Sequence, residues 1–317
     1  MSTNSTNGDY RIDRLSSVNL TDLEKLYTAV YKKLPAAEFF SRKYDTAFTG
    51  VIYTGFIAYD AAQLPIAFYG VIPCFIRFED QIILAAQSAD TMTHPQYRNK
   101  GLFVELALLT FHLCHSEGIK ILFGFPNQNS LPGFVNKLNW QIIERMDCFI
   151  IPTGSFTMGR LFKKLPIIKK IHAAYCEKSL KKYLLPQQGI ENSVFADGFA
   201  GVLRDYQYLK YKTYNITQVI KLDLATLWIK VGNELLIGDV SVSSDDFDKL
   251  MTSLKKLSRK LGLKEMHFHS SPGTTLHTLF AEHFNAIPSF PIIFLDLACG
   301  GTPSHKIKFT TADIDTF

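Results

Sequence analysis

Residues 85–124 read AAQSADTMTHPQYRNKGLFVELALLTFHLCHSEGIKILFG, and this stretch decides the fold. Residues 82–93 are rich in β-branched and small side chains, which suits an extended strand. A short polar loop follows over residues 94–100. Gly101 then opens an amphipathic segment, residues 102–117, that reads as a helix, and residues 120–124 form a second short strand. A strand that passes through a glycine-containing loop into a helix makes an anion site. The first-turn N–H groups have no partner inside the helix, and the helix dipole adds about half a positive charge. A diphosphate is the natural guest. The stretch contains no G-x-x-x-x-G-K-[ST], which excludes a nucleotide triphosphatase loop. It contains no G-x-G-x-x-G either, which argues against a Rossmann dinucleotide.

Upstream, residues 10–14 read as a first strand. Residues 20–31 place Leu20, Leu23, Leu26, Tyr27 and Val30 on one helical stripe, with Asn19 or Thr21 as cap. A second helix is expected over 36–44, after Pro35. Strands are expected over 51–59 and 64–75, joined by a turn at Asp60-Ala61-Ala62-Gln63. Downstream, residues 141–152 are expected to close the first sheet. Residues 153–189 read as a basic, partly helical connector. A second α/β unit begins near Ile190: a hairpin over Gly232-Asn233, a helix at 245–261, a strand at 265–269, a helix at 274–284 and a strand at 291–297. The element order of the first half is thereby repeated. The repeat lacks the loop, however. Asp245 and Asp246 stand at its helix start and would repel a diphosphate. The expected domains are 1–152, 153–189 as linker, and 190–317.

The loop itself, Arg98-Asn99-Lys100-Gly101-Leu102-Phe103 after Thr93-His94-Pro95-Gln96-Tyr97, resembles the pyrophosphate loop of the GNAT acyltransferase superfamily, R/Q-x-x-G-x-G/A. Phe103 departs from that pattern at its last position. Asn127 and Ser130, then Phe134-Val135-Asn136-Lys137-Leu138-Asn139-Trp140, are similar to the family's segment after its fifth strand. The resemblance implies an α/β (α+β) fold of two tandem GNAT-like mixed-sheet domains, the second degenerate. The two-domain form resembles the enhanced-intracellular-survival-type acetyltransferases. It further implies acetyl-CoA or another acyl-CoA as co-substrate, no metal, and direct acyl transfer to an amine, an amino sugar being one possibility.

Carried over residue by residue, the resemblance assigns the diphosphate to the amides of Asn99, Lys100, Gly101, Leu102 and Phe103, helped by the side chains of Arg98 and Lys100. It assigns the thioester carbonyl to backbone at Met92 and Thr93, and the pantetheine arm to a splay between the two strands, where Asn129 would bond it. Asn129 reads equally as a helix N-cap. Asp90, on the central strand, is a candidate base, as is His94. The terminal carboxylate of Phe317 is a further catalytic candidate, because the survival-type enzymes use theirs. The family's usual tyrosine acid is absent: Val135 stands there.

Composition bounds the rest. The 317 residues are 47% apolar and 20% charged, ordinary for a folded two-domain chain. No run of eighteen apolar residues exists, so no transmembrane helix is expected. The polar start predicts a cytoplasmic protein, with residues 1–8 disordered. Of the five cysteines, Cys74, Cys114 and Cys148 sit in apolar runs and read as buried thiols. Residues 159–182 hold eight basic residues against Glu177 alone. They read as a solvated linker, and nucleic acid is not an expected partner. Two other functions compete with acyl transfer: a Fem-type aminoacyl transferase fed by charged tRNA, and a catalytically silent CoA sensor or scaffold.

Overall fold

The computed structural model describes residues 10–154, 166–298, 300 and 303–317. The N-terminal residues 1–8, the first part of the basic stretch (159–165) and Cys299 lie outside the described residues. Along the chain run β1 (Tyr10–Arg14), α1 (Leu20–Tyr31), α2 (Phe39–Tyr44), β2 (Gly55–Asp60), β3 (Pro65–Phe78), β4 (Gln81–Thr93), α3 (Leu102–Ser116), β5 (Ile121–Gly124), α4 (Leu131–Leu138) and β6 (Gln141–Pro152). Then come α5 (Pro166–Leu180), β7 (Gly201–Val202), α6 (Tyr206–Tyr211), β8 (Gln218–Leu222), β9 (Ala225–Val231), β10 (Leu235–Ser241), α7 (Phe247–Lys260), β11 (Glu265–Ser270), α8 (Thr275–His283) and β12 (Ala286–Asp296). The mixed α/β class is the one the sequence implies.

The chain folds into two compact units, and neither is a contiguous half. The first joins the described residues up to Glu144 with Tyr206–Tyr214 and Pro291–His305. The second joins Arg145–Asp205, Asn215–Phe290 and Lys306–Phe317. In the first unit β1, β2, β3 and β4 pair antiparallel in that order, and β4 pairs parallel with β5. The next neighbour of β5 is not residues 141–152, as the sequence suggested. It is the far end of the chain, with Ile293 opposite Gly124 and Asp296 opposite Ile121. From Asp147 to Pro152, β6 instead pairs with β11 in the second unit. Strand periodicity is local and was legible; the choice of partner is made by distant residues and was not.

Strand alternation gives the first sheet two apolar faces. On one, Leu102, Leu106 and Phe111 of α3 and Phe134 and Leu138 of α4 pack onto Tyr69, Val71, Ala86, Leu122 and Ile293. On the other, Leu23 and Leu26 of α1 and Phe40 and Tyr44 of α2 pack onto Ile57, Tyr59, Phe68 and Met92. Asn19 stands at the N-cap of α1, yet its Oδ1 accepts from the Ser16 N–H rather than from the helix. Cys74, Cys114 and Cys148 are free and buried, and burial pushes the Cys114 thiol up to about 12 and that of Cys148 to about 11.

In the second unit β8, β9 and β10 form an antiparallel meander, and β10 runs parallel to β11 from Leu235 opposite Met266 to Ile237 opposite Phe268. Past that last pair the strands are met by the C-terminal segment. Ser271 N–H donates to Phe309 O at 2.9 Å, and His269 N–H donates to Thr311 Oγ1 at 2.7 Å. Gly238 sits at a register shift of β10, and a Cβ there would overlap the Phe317 ring. Phe317 also meets Trp228 edge-on, with centroids 5.3 Å apart. The end of the chain thus packs into the region where the second unit's parallel strands part.

Candidate active site

The loop after β4 is built by its backbone. Asn99 (φ 63°) and Gly101 (φ 81°) both take left-handed conformations, which asparagine tolerates and glycine adopts freely. Gly101 is the N-cap of α3; its carbonyl accepts from Val104 and Glu105. From Arg98 to Phe103 no backbone N–H has an acceptor among the described residues. Left-handed residues beside ordinary ones turn successive N–H groups toward a common point, an arrangement that favours anions.

These residues line a cavity of about 630 Å³. Arg98, Lys100 and Lys137 bring three cationic side chains to it, and no carboxylate side chain is among the described residues of its wall. Lys137, one α4 turn beyond Gly133, was quoted in the sequence only as part of a motif; its role as a wall residue needed the fold. Lys100 Nζ also lies 4.8 Å above the Tyr97 ring. Tyr97 donates its hydroxyl to Asp60 Oδ2 at 2.7 Å, tying the loop to the β2–β3 turn. That bond, then the Leu64 N–H, holds the Asp60 carboxyl below its ordinary range, while Asp60 raises the Tyr97 hydroxyl. His94 caps the short helical turn Pro95–Tyr97 of the loop, its Nδ1 accepting from Gln96 N–H at 3.4 Å.

Phe103 departs from the loop pattern, and the chain accommodates it with a glycine. A Cβ on Gly133 would stand 2.8 Å from Phe103 Cε1. The ring meets Phe134 edge-on at 5.3 Å and Tyr69 at 6.0 Å, so much of its surface is spent on the α3–α4 core.

Next to the loop, β4 and β5 part. They are paired at Ala85–Ile121, Ala86–Leu122 and Gln87–Phe123, and β4 continues six residues further, to Thr93. On its other edge β4 carries a bulge. Phe68 faces Met92 and Gly70 faces Ala89, so Asp90 and Thr91 together oppose Tyr69. Asp90 has φ 49°, a rare conformation for a non-glycine residue. Because His94 N–H bonds Ile66 O on β3, ladder alternation turns the Met92 N–H toward β3 as well and the Thr93 N–H toward the splay. Of the two expected backbone donors, Thr93 is the one that faces the gap; Met92 also buries its side chain in the α1–α2 core.

Asp90 is held by two groups that sequence reasoning missed. Lys43 Nζ lies 2.7 Å and the Tyr44 hydroxyl 2.9 Å from its Oδ2. The Lys43 side chain is 2% exposed, and its ammonium lies 5.3 Å from the Phe39 ring centroid and 6.0 Å from that of Tyr214. A lysine on a short helix gives no sequence sign of such burial. Asn129 lines the cavity and does not cap α4. Ser130 is the N-cap and makes no side-chain cap bond; Asn127 closes the turn ahead of it, its Oδ1 accepting from Asn129 and Ser130 N–H at 2.9 and 3.1 Å. Phe317 belongs to the second unit. Asn215 Nδ2 donates to its terminal oxygen at 2.8 Å, and Lys230 Nζ donates to Thr316 O at 2.5 Å.

The acetyltransferase (GNAT) domain family matches residues 22–143, from α1 into β6. No curated protein matches the sequence. Among solved structures, a conserved Enterococcus faecalis V583 protein described as a probable N-acyltransferase superposes with a TM-score of 0.59 at 12% identity, over 92% of this chain and 73% of that one. A GCN5-related N-acetyltransferase from Kribbella flavida gives 0.56 at 12% identity, over 94% and 73%. One from Anabaena variabilis ATCC 29413 gives 0.55 at 13% identity, over 91% and 73%. At such identities the likeness is one of fold. No helix among the described residues is long and apolar enough to cross a membrane.

Proposed function

We propose that the protein transfers an acyl group, acetyl in the first instance, from coenzyme A to an amine. The observation that carries this reading is the run of N–H groups from Arg98 to Phe103 without acceptors, bordering a cavity with three cationic side chains. In this reading the diphosphate lies on the amides of residues 99–103, with Arg98, Lys100 and Lys137 as counter-charges. The pantetheine arm enters the parting of β4 and β5, with Asn129 at its flank. The Thr93 N–H receives the thioester oxygen as charge develops there. Nothing in the cavity singles out an amino sugar, so the acceptor class is simply an amine.

Calorimetry with acetyl-CoA tests this. The wild type is expected to bind, and Gly101→Val to bind at least about tenfold more weakly, because a β-branched residue resists φ near 81° and covers the amides. Equal affinity in both proteins sinks the reading. A thiol-release assay across an amine panel then finds the acceptor.

For the acceptor's proton two groups stand as candidates. Asp90 Oδ1 has no partner among the described residues, so it can accept an N–H and orient the amine while Oδ2 stays on Lys43. The Phe317 carboxylate is the other. A chain lacking Phe317 is expected to lose most of its turnover while its CoA affinity stays within about twofold, measured with the unfolding midpoint because the buried ring is lost too. Normal turnover without Phe317 removes that candidate.

A further inference from the structure

Two hydroxyl groups stand where β4 and β5 part. The strands pair through Gln87 and Phe123. Ser88 is the next residue of β4, Gly124 is the last of β5, and Ser88 Cβ lies 3.4 Å from where a Cβ on Gly124 would be. Ser88 Oγ lies 2.8 Å from the Tyr69 hydroxyl on β3. The Tyr69 ring is fully buried, with Phe103, Phe111 and Phe134 at centroid distances of 6.0, 5.8 and 6.2 Å.

The pair owns two hydroxyl protons, and only one can lie between the two oxygens. Neither side chain makes another hydrogen bond among the described residues. One O–H is therefore left to donate elsewhere. Tyr69 is enclosed and Ser88 is half-buried, so the consistent arrangement has Tyr69 donating to Ser88 and Ser88 donating outward. Burial raises the Tyr69 hydroxyl, which keeps its proton. The pleat places Ser88 in the row that leads to the cavity, whose wall does not include Ser88 itself. Ser88 shares a face with Ala86, and the extra residue at the bulge shifts the alternation by one, so that row continues as Thr91 and Thr93. Both threonines line the cavity.

We propose that Ser88 is a catalytic residue that donates a hydrogen bond to the leaving sulfur of the acyl thioester, and that Tyr69 is the positioning residue that orients its hydroxyl. The proposal rests on the acyl-CoA reading above. In the step, the acceptor nitrogen attacks the thioester carbon, an N–C bond forms, and the C–S bond breaks with its electron pair on sulfur. The Ser88 O–H stabilises the thiolate, which later takes a proton from water; the nitrogen gives its proton to a base or to solvent. No hydroxyl on α4 competes for this role at residue 135, where valine stands beside Phe134.

A donor to sulfur should act on the thiolate of bound CoA even without an acceptor. The test titrates the thiol of bound CoA by thiolate ultraviolet absorbance in the wild type, Ser88→Ala, Ser88→Thr and Tyr69→Phe, with calorimetry of CoA for each. In the wild type the thiol midpoint is expected about one unit below its free value, a tenfold preference for thiolate. Ser88→Ala should return it to the free value, and Ser88→Thr should keep the shift. With an active amine, Ser88→Ala should lower kcat about tenfold to hundredfold at unchanged KM for acetyl-CoA. Tyr69→Phe should lie between. A thiol midpoint that is the same in wild type and Ser88→Ala overturns the proposal, as does a loss that appears equally in CoA affinity. If the wild type binds no CoA, the acyl-transfer reading itself fails and takes this proposal with it.

Discussion

Replacing Arg204 by alanine is expected to destabilise the second unit by about 3–5 kcal/mol, the usual effect of removing one partner from a buried ion network. The Arg204 side chain is 0% exposed. Its Nη1 lies 2.5 Å from Asp239 Oδ2, its Nη2 donates to Asp313 Oδ1 and Thr310 Oγ1 at 2.8 Å each, and the guanidinium lies 5.7 Å above the Trp228 ring. Asp239 belongs to β10; Thr310 and Asp313 belong to the C-terminal segment. One side chain therefore fastens the end of the chain to the sheet. Its removal takes the arginine's charge away from two buried carboxylates. The pH dependence has a definite sign. Burial already raises the Asp313 carboxyl against the opposing pull of Arg204. Without the arginine the folded state takes up protons more readily than the unfolded chain, so the destabilisation should shrink as pH falls toward the raised value. Urea unfolding at neutral and mildly acidic pH measures both effects. An unchanged midpoint, or a larger loss in acid than at neutrality, contradicts the assignment.

A chain that ends at Pro152 is expected to be insoluble, although the sequence suggests a domain boundary there. In the full chain β5 is the all-apolar ILFG, buried throughout, with β4 on one edge and residues 293–296 on the other. Cutting at 152 bares that second edge and removes Ile293, which is 0% exposed, from the core under α3 and α4. It also removes Tyr208, Tyr211 and Tyr214, which meet Phe48 and Phe39 in the first unit. A bare apolar edge invites intermolecular pairing. Expression of residues 1–152 beside the full chain decides this. A monodisperse, folded fragment that binds CoA would show that the strand from the far end is dispensable.

How far the site could be read from sequence differs residue by residue. The turn at Gly101 was legible, since the need for a left-handed residue and unpaired first-turn amides is set within a few residues of chain. The strand ahead of it was legible for the same reason. Lys43 beside Asp90 was not, because nothing near a lysine in the sequence records which carboxylate will be 2.7 Å away. Asn127 and Asn129 show the middle case. Both are turn-forming residues ahead of a helix, and only the folded loop shows that it is Asn127 whose side chain closes the turn, on the Asn129 and Ser130 N–H groups.

By itself the sequence determined what local chemistry determines: the periods of helices and strands, and the glycine loop at the start of α3. The tertiary structure alone decided which strands lie side by side, the ion pair that holds Asp90, and the burial of the chain's end against β10 and β11. The physical reason is one of range. Backbone conformation answers to neighbours a few residues away, whereas strand partners and buried charges can be matched across much longer stretches, 109 residues for Arg204 with Asp313, where only the assembled core brings the two groups together.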